Sequence, residues 1–187
     1  MKRKLFDTSF YIAKKPIPYT LVIIDVQEGY LAAENETLLD NILKEIKTAR
    51  ENDAAILFVN MDHIGRNIGC IWDAAYDYTY FAQVIKRDND GSDAIIRAFS
   101  KHKFLNKTNL RVCGIYTHLC VTETVNGLTK KLPKSNVEVL TKCCNDDEDE
   151  LEMDVRIFDK FKPLLEKDDK INPFGLIKAR KNVQLIF

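Results

Sequence analysis

Apolar residues along the chain fall into short continuous runs separated by longer stretches of helical spacing. Thr20–Asp25 (TLVIID) and Ala54–Asn60 (AAILFVN) are unbroken apolar runs ending on a polar residue. Runs of that length, rich in β-branched residues, predict buried strands. Gln83–Ile85, Leu110–Ile115 (LRVCGI) and Val137–Thr141 predict three more. Between them, Leu39, Ile42, Leu43, Ile46 and Ala49 line one helical face, and Val121, Val125, Leu128 and Leu132 line another. Thr37 with Asp40 is a candidate cap for the first of these helices, and Ser92 for a helix running to about Lys101. The acidic run Asp146–Glu150 precedes a helix with Leu151, Val155, Phe158 and Leu165 on one side, where negative charge at the helix start is favourable. The closing VQLIF reads as a last strand or a docking arm. Met61–Phe81 has no clean period and reads as one long loop of functional character.

Strands alternating with helices predict a Rossmann-like α/β protein, a three-layer α/β/α arrangement around a mostly parallel sheet. Residues 1–19, with five lysines or arginines and two prolines, read as an N-terminal arm, and residues 20–187 as a single domain. In such sheets ligands bind beyond the carboxyl ends of the strands. The positions to inspect are therefore Asp25, Asn60, Lys86 and the turn after Ile115. Neither GxxxxGK[ST] nor GxGxxG occurs, so a phosphate-cradling loop is not expected.

Composition narrows the function classes. The 187 residues carry 28 Lys plus Arg against 28 Asp plus Glu. Zero net charge disfavours nucleic acid or an anionic membrane as the main partner. No stretch approaches a membrane span, and no signal-peptide pattern is present. The five cysteines, at 70, 113, 120, 143 and 144, show no zinc or redox spacing. They are expected as reduced thiols in a cytoplasmic protein.

Three side chains carry candidate chemistry. Four residues separate Cys120 from the strand LRVCGI, which places it in the first turn of the next helix. Backbone N–H groups and the helix dipole there are expected to favour a thiolate nucleophile, although a cysteine at a helix start is more often a small buried residue. Asp25 closes the first strand, where an acid after four apolar residues either caps a turn or does work. Beside a thiol it can accept a proton and return it to a leaving amine. Lys86 closes the third strand. A lysine there is usually solvated, but beside an Asp and a Cys it can hold the carboxylate and offset developing negative charge.

At these residues the chain resembles the isochorismatase-like cysteine hydrolases. TLVIIDVQEGY resembles their first motif, and RVCGIYTHLCVTET resembles their nucleophile motif through Gly114, Thr117, Cys120, Val121 and Thr124. IKRDNDGSDA resembles the segment carrying their lysine, and the likeness runs from about Thr20 to Leu165. The resemblance implies a triad of Asp25, Lys86 and Cys120, a cis peptide between Ile115 and Tyr116, and an oxyanion hole made by the Tyr116 and Cys120 amides. It further implies cleavage of the amide C–N bond of a small molecule through a thioester, as in nicotinamidases and ureide hydrolases. Two alternatives stand beside it. One is hydrolysis of a vinyl ether, as in isochorismatases, which does not need the thiol. The other is a binding or regulatory module without turnover on the same fold. Gln27, His63, Trp72, Tyr76 and Phe81 are candidates for the substrate pocket. Nicotinamidases hold a metal with an Asp-x-His pair and further histidines. Here Asp62 and His63 are adjacent and no second histidine follows in the loop, so a metal is doubtful and no cofactor is expected. His118 is expected at solvent or a subunit contact, and the resemblance implies a homo-oligomer, a dimer or tetramer.

Overall fold

A computed structural model describes residues 16–166, 170–178 and 180–187. Most of the expected N-terminal arm, residues 1–15, lies outside the described residues. Its last four residues pack on the domain, with the Asn106 side chain donating to the Ile17 and Pro18 carbonyls.

Six strands form one sheet: β1 (Thr20–Ile24), β2 (Ala55–Met61), β3 (Phe81–Lys86), β4 (Asn109–Ile115), β5 (Asn136–Asn145) and β6 (Val183–Ile186). Their order is β3-β2-β1-β4-β5-β6 and every neighbouring pair is parallel. The chain builds outward from β1 through β2 to β3, then returns to lay β4 on the other side of β1. The order therefore reverses between β1 and β4, which opens a crevice at their carboxyl ends.

Strand alternation sorts the core into two layers. Leu21, Ile23, Ile56, Phe58 and Cys113 point to the face covered by α1 (Glu36–Glu51) and α2 (Gly69–Ala75). Val22, Ile24, Leu57, Val59 and Val112 point to the face covered by α3 (Ser92–Lys101) and α4 (Thr122–Lys131). Both faces of β1 are buried, so its sequence is continuously apolar rather than alternating. A third, small cluster joins α5 (Glu148–Ile157) to a 3₁₀ helix at Asp159–Leu164 through Leu151, Val155, Phe161 and Leu164.

Several sequence expectations need correction. The loop Met61–Phe81 is interrupted by α2 and its ends belong to β2 and β3; a helix of 7 residues burying Ile71 and Ala75 is too short to show a period. The cap of α1 is Asn35, whose side chain accepts from the Leu38 N–H, so Thr37 lies inside the helix. Ser92 is likewise inside α3, and its N–H is satisfied by Asp90. The helix expected from Thr117 opens as a π turn over Thr117–Val121 before α4 begins. Phe158 and Leu165 fall beyond the end of α5 and are exposed, while Phe161 and Leu164 fill the place they were expected to take. The acidic run does start α5, with Asp147 accepting from the Glu150 N–H.

Gly114 is where β1 and β4 come closest. Its φ is +130°, and a Cβ there would stand 2.0 Å from the Ile24 carbonyl oxygen. Backbone on that side cannot yield without breaking the β1–β4 ladder. Gly114→Ala is expected to cost about 3 kcal/mol or more. Gly69→Ala, at the start of α2 with no atom within 4 Å of the new Cβ, should stay within about 1 kcal/mol of the parent. Urea-denaturation midpoints of the two variants check this, and equal midpoints would refute the packing argument.

Candidate active site

Asp25 leaves β1 in the left-handed region, with φ +56°. Asp tolerates that conformation better than most residues. Its N–H still donates to the Val59 carbonyl at 2.9 Å, so the ladder with β2 continues while the side chain swings into the crevice. The carboxylate is completely buried. Lys86, at the end of β3, reaches it with Nζ 2.7 Å from Oδ2, and both side chains are sealed from solvent. The ammonium also donates to the Asp88 carbonyl at 3.0 Å and the Asn89 carbonyl at 3.4 Å. Apart from the ion pair with Lys86, neither carboxylate oxygen of Asp25 has a well-directed hydrogen-bond partner among the described residues.

Cys120 comes from the opposite side of the switch point, on the π turn after β4. Its thiol lies within hydrogen-bonding reach of the Asp25 carboxylate and 3.6 Å from Oδ1 of Asn89. The structure thus brings Asp25, Lys86 and Cys120 together from three strand ends. It also brings Asn89, which no motif singled out; its place in the turn directly after Lys86 was the available signal. Thr124 of α4 steadies that turn, accepting from the Gly91 N–H at 2.8 Å and donating to the Asn89 carbonyl at 3.4 Å.

The electrostatics run against the expected stabilisation of a thiolate at the helix start. Burial and the Asp25 charge push the Cys120 thiol up to about 12, against a smaller downward pull from Lys86. Desolvation outweighs the helix-start effect here. Burial also raises the Asp25 carboxyl above its ordinary value, although Lys86, the thiol and the Met61 backbone all pull it down. Burial pushes up the thiols of Cys113, Cys143 and Cys144 as well. Cys120 is therefore set apart by its neighbours rather than by its own acidity.

The Ile115–Tyr116 peptide is cis. The Tyr116 ring packs edge-on against Tyr30 with centroids 5.3 Å apart. Burial first and then the nearby Asp25 charge raise the Tyr30 phenol above its ordinary value. Gln27 is buried and committed to structure, donating to the Met61 and Gly65 carbonyls and accepting from the Met61 N–H at 2.8 Å. A cavity of about 530 Å³ opens beside it, lined among others by Asn60, His63 and Trp72. The carboxamide oxygen of Asn60 is buried there without a partner among the described residues. Of the other pocket candidates, Tyr76 stacks on Trp72 and is exposed, while Phe81 packs against Phe58 and Trp72. Neither lines the cavity: Tyr76 caps the end of α2, and Phe81 sits at the start of β3, away from the carboxyl edge.

The donors after β2 do not fit a metal ion. Asp62 lies between His63, at 3.3 Å, and Arg87, at 3.5 Å, and the His63 side chain is 91% exposed. Among the described residues no group of three or more His, Cys, Asp and Glu side chains converges. His118 also departs from expectation. Its ring is buried between Asp146 and Asp154, at 2.7 and 3.1 Å, rather than facing solvent or another subunit.

The Asp25–Lys86 pair makes a stability prediction. Lys86→Met should destabilise the fold by about 3 kcal/mol, because a buried carboxylate is left uncompensated. Its carboxyl would then hold a proton in the folded state that the unfolded chain releases above about pH 4. The deficit should therefore grow as pH rises from 5 to 8. Adding Asp25→Asn should recover most of the loss and flatten its pH dependence, as read from denaturation curves at the two pH values.

No protein-family model matches the sequence, and no curated protein sequence does. Solved structures do match. The MAR1 ribonuclease from Caenorhabditis elegans superimposes with a TM-score of 0.60 at 17% identity, covering 76% of this chain and 72% of that one. A nicotinamidase from Staphylococcus aureus gives 0.59 at 15% identity over 75% and 92% of the two chains. An isochorismatase from Pseudomonas putida gives 0.55 at 18% identity over 70% and 74%. With six parallel strands in this order and helices on both faces, the chain has the isochorismatase-like fold.

Proposed function

We propose that this protein is a cysteine hydrolase that cleaves the amide C–N bond of a small molecule. The observation that carries the reading is the buried convergence of Asp25, Lys86 and Cys120 at the β1–β4 switch point. A carboxylate, an ammonium and a thiol are costly to bury together unless they act together.

In this scheme Asp25 takes the Cys120 proton as sulfur attacks the carbonyl carbon. A thiol pushed up to about 12 does not ionise beforehand, so proton transfer accompanies attack. A base made stronger by burial suits that step. The carbonyl oxygen takes up the electron pair and is held by the Tyr116 and Cys120 amides. Collapse breaks the C–N bond, and Asp25 delivers its proton to the departing ammonia or amine. Water then attacks the thioester with Asp25 as base and regenerates the thiol. Lys86 offsets the negative charge that passes between Asp25 and the substrate. No step is routed through a metal. Small amides such as nicotinamide or a ureide are the substrate class this reading implies; the cavity lined by Trp72 and Asn60 does not itself include Asp25, Lys86 or Cys120. Function needs reduced Cys120, in keeping with a reducing compartment such as the cytoplasm. No helix among the described residues is long and apolar enough to cross a membrane. Self-association into a dimer or tetramer belongs to the same proposal.

A second reading is a binding or regulatory module. It draws on the seal over the site, since Cys120 is only 3% exposed. An ammonia-release screen over small amides and ureides, run with and without chelator, separates the two. Turnover should survive the chelator and fall at least about a thousandfold in Cys120→Ala and in Asp25→Asn. Its acid limb should lie above the ordinary carboxylate value of about 3.9, because protonating the raised Asp25 removes the base. Turnover retained in Cys120→Ala, or lost to chelator, would refute the scheme. A folded protein inert to every amide would favour the binding module.

A further inference from the structure

His118 lies between the cis Ile115–Tyr116 peptide and Cys120, inside the π turn. Its ring makes no hydrogen bond to the thiol, because both nitrogens are spent elsewhere. Nδ1 is 2.7 Å from Oδ1 of Asp146, just after β5, and Nε2 is 3.1 Å from Oδ2 of Asp154 on α5. The same Asp146 oxygen accepts the His118 backbone N–H at 3.2 Å. A carboxylate can only accept, and a neutral imidazole has one donor and one acceptor. Two ring-to-carboxylate bonds therefore require both nitrogens to carry hydrogen. Burial pushes the ring toward neutrality, but the two carboxylates outweigh it and raise its pKa.

What this bridge holds is a nearly separate unit. α5 and the 3₁₀ helix share a small core of four buried apolar residues, which meets the nucleophile turn through Leu119. Other groups around the ring are consistent with a fastening role. Phe161 packs edge-on at 5.2 Å, and the Lys160 ammonium lies over the Phe161 ring, 4.5 Å from its centre. Tyr116 lies at 6.2 Å, and burial and then the nearby Glu150, in the first turn of α5, raise its phenol above the ordinary value. The π turn is thus tied to α5 through the His118–Asp154 contact, with the Tyr116 ring beside it. So small an apolar contact leaves a charged, buried bridge to decide where α5 sits.

We infer that His118 is a positioning residue whose imidazolium bolts α5 across the turn bearing Tyr116 and Cys120, so that the site keeps its shape only while this bridge is charged. Its link to catalysis rests on the proposed hydrolase reading, whereas the bridge itself does not. The sign follows from the raised pKa. The contribution is complete below the ordinary histidine value of about 6.5 and is lost as pH rises through the folded midpoint. Deprotonation forfeits one of the two bonds and leaves two acids facing an uncharged ring.

The test uses the full chain. Nitrogen-15 spectra of the imidazole should show the doubly protonated ring at pH 7. Asp154→Asn should lower its midpoint by about one pH unit. At pH 8 the same variant should speed amide exchange in α5 at least about tenfold, while β1 and β4 stay protected. His118→Gln should speed α5 exchange below the folded midpoint of the ring and converge with the parent above it. With nicotinamide as the probe amide, Asp154→Asn should move the alkaline limb of kcat to lower pH and leave KM nearly unchanged. If His118→Gln does not fold, Asp154→Asn carries the test alone. A neutral ring at pH 7, or α5 exchange unchanged in Asp154→Asn, would overturn the inference. A protein inert to every amide of the screen but showing the ring and exchange results would keep the bridge and count against the hydrolase reading.

Discussion

A carboxylate and an ammonium 2.7 Å apart, both cut off from water, set the terms for the rest of this molecule. Neither charge could be buried alone. The sheet order brings the end of β1 and the end of β3 to the same crevice, and the left-handed bend at Asp25 turns the acid toward the lysine. Lys86 then gathers the Asp88 and Asn89 carbonyls, which draws the following turn over the pair. Cys120 is delivered into this arrangement by β4, whose approach to β1 depends on the missing side chain at Gly114. Local backbone geometry, packing and charge meet at one point.

That point was partly legible in the residues. A strand buried on both faces cannot be anything but apolar along its length, so β1 and β2 announce themselves and an acid closing the first run stands out. Spacing placed Cys120 correctly beside the sheet edge. The helix-start argument counts N–H groups and cannot count burial, which pushes that thiol up. α2 escaped notice because two buried residues make no period. Asn89 and Tyr30 were missed for a related reason, since each matters through a contact to a residue distant in sequence. His118 was misplaced because nothing near it in the chain shows that Asp146 and Asp154 close on it from elsewhere.

The structures that share this fold include a ribonuclease, a nicotinamidase and an isochorismatase, at 15–18% identity. One frame carries several chemistries, so the frame does not choose among them. The choice belongs to the crevice and to the cavity beside it. Gln27 ties down the loop after β2, Trp72 walls the space, and Asn60 leaves an unanswered carboxamide oxygen for a ligand donor. The C-terminal unit around α5 closes the other flank, through Tyr116 and His118.

The central claim is that the Cys120 sulfur becomes covalently acylated. Intact-protein mass spectrometry of samples quenched in acid during amide turnover tests it directly. The account predicts a transient mass increase equal to the acyl group of the amide, mapped to the peptide bearing Cys120 and absent in Cys120→Ala. Sustained turnover with no adduct, or with the adduct on another residue, would contradict it.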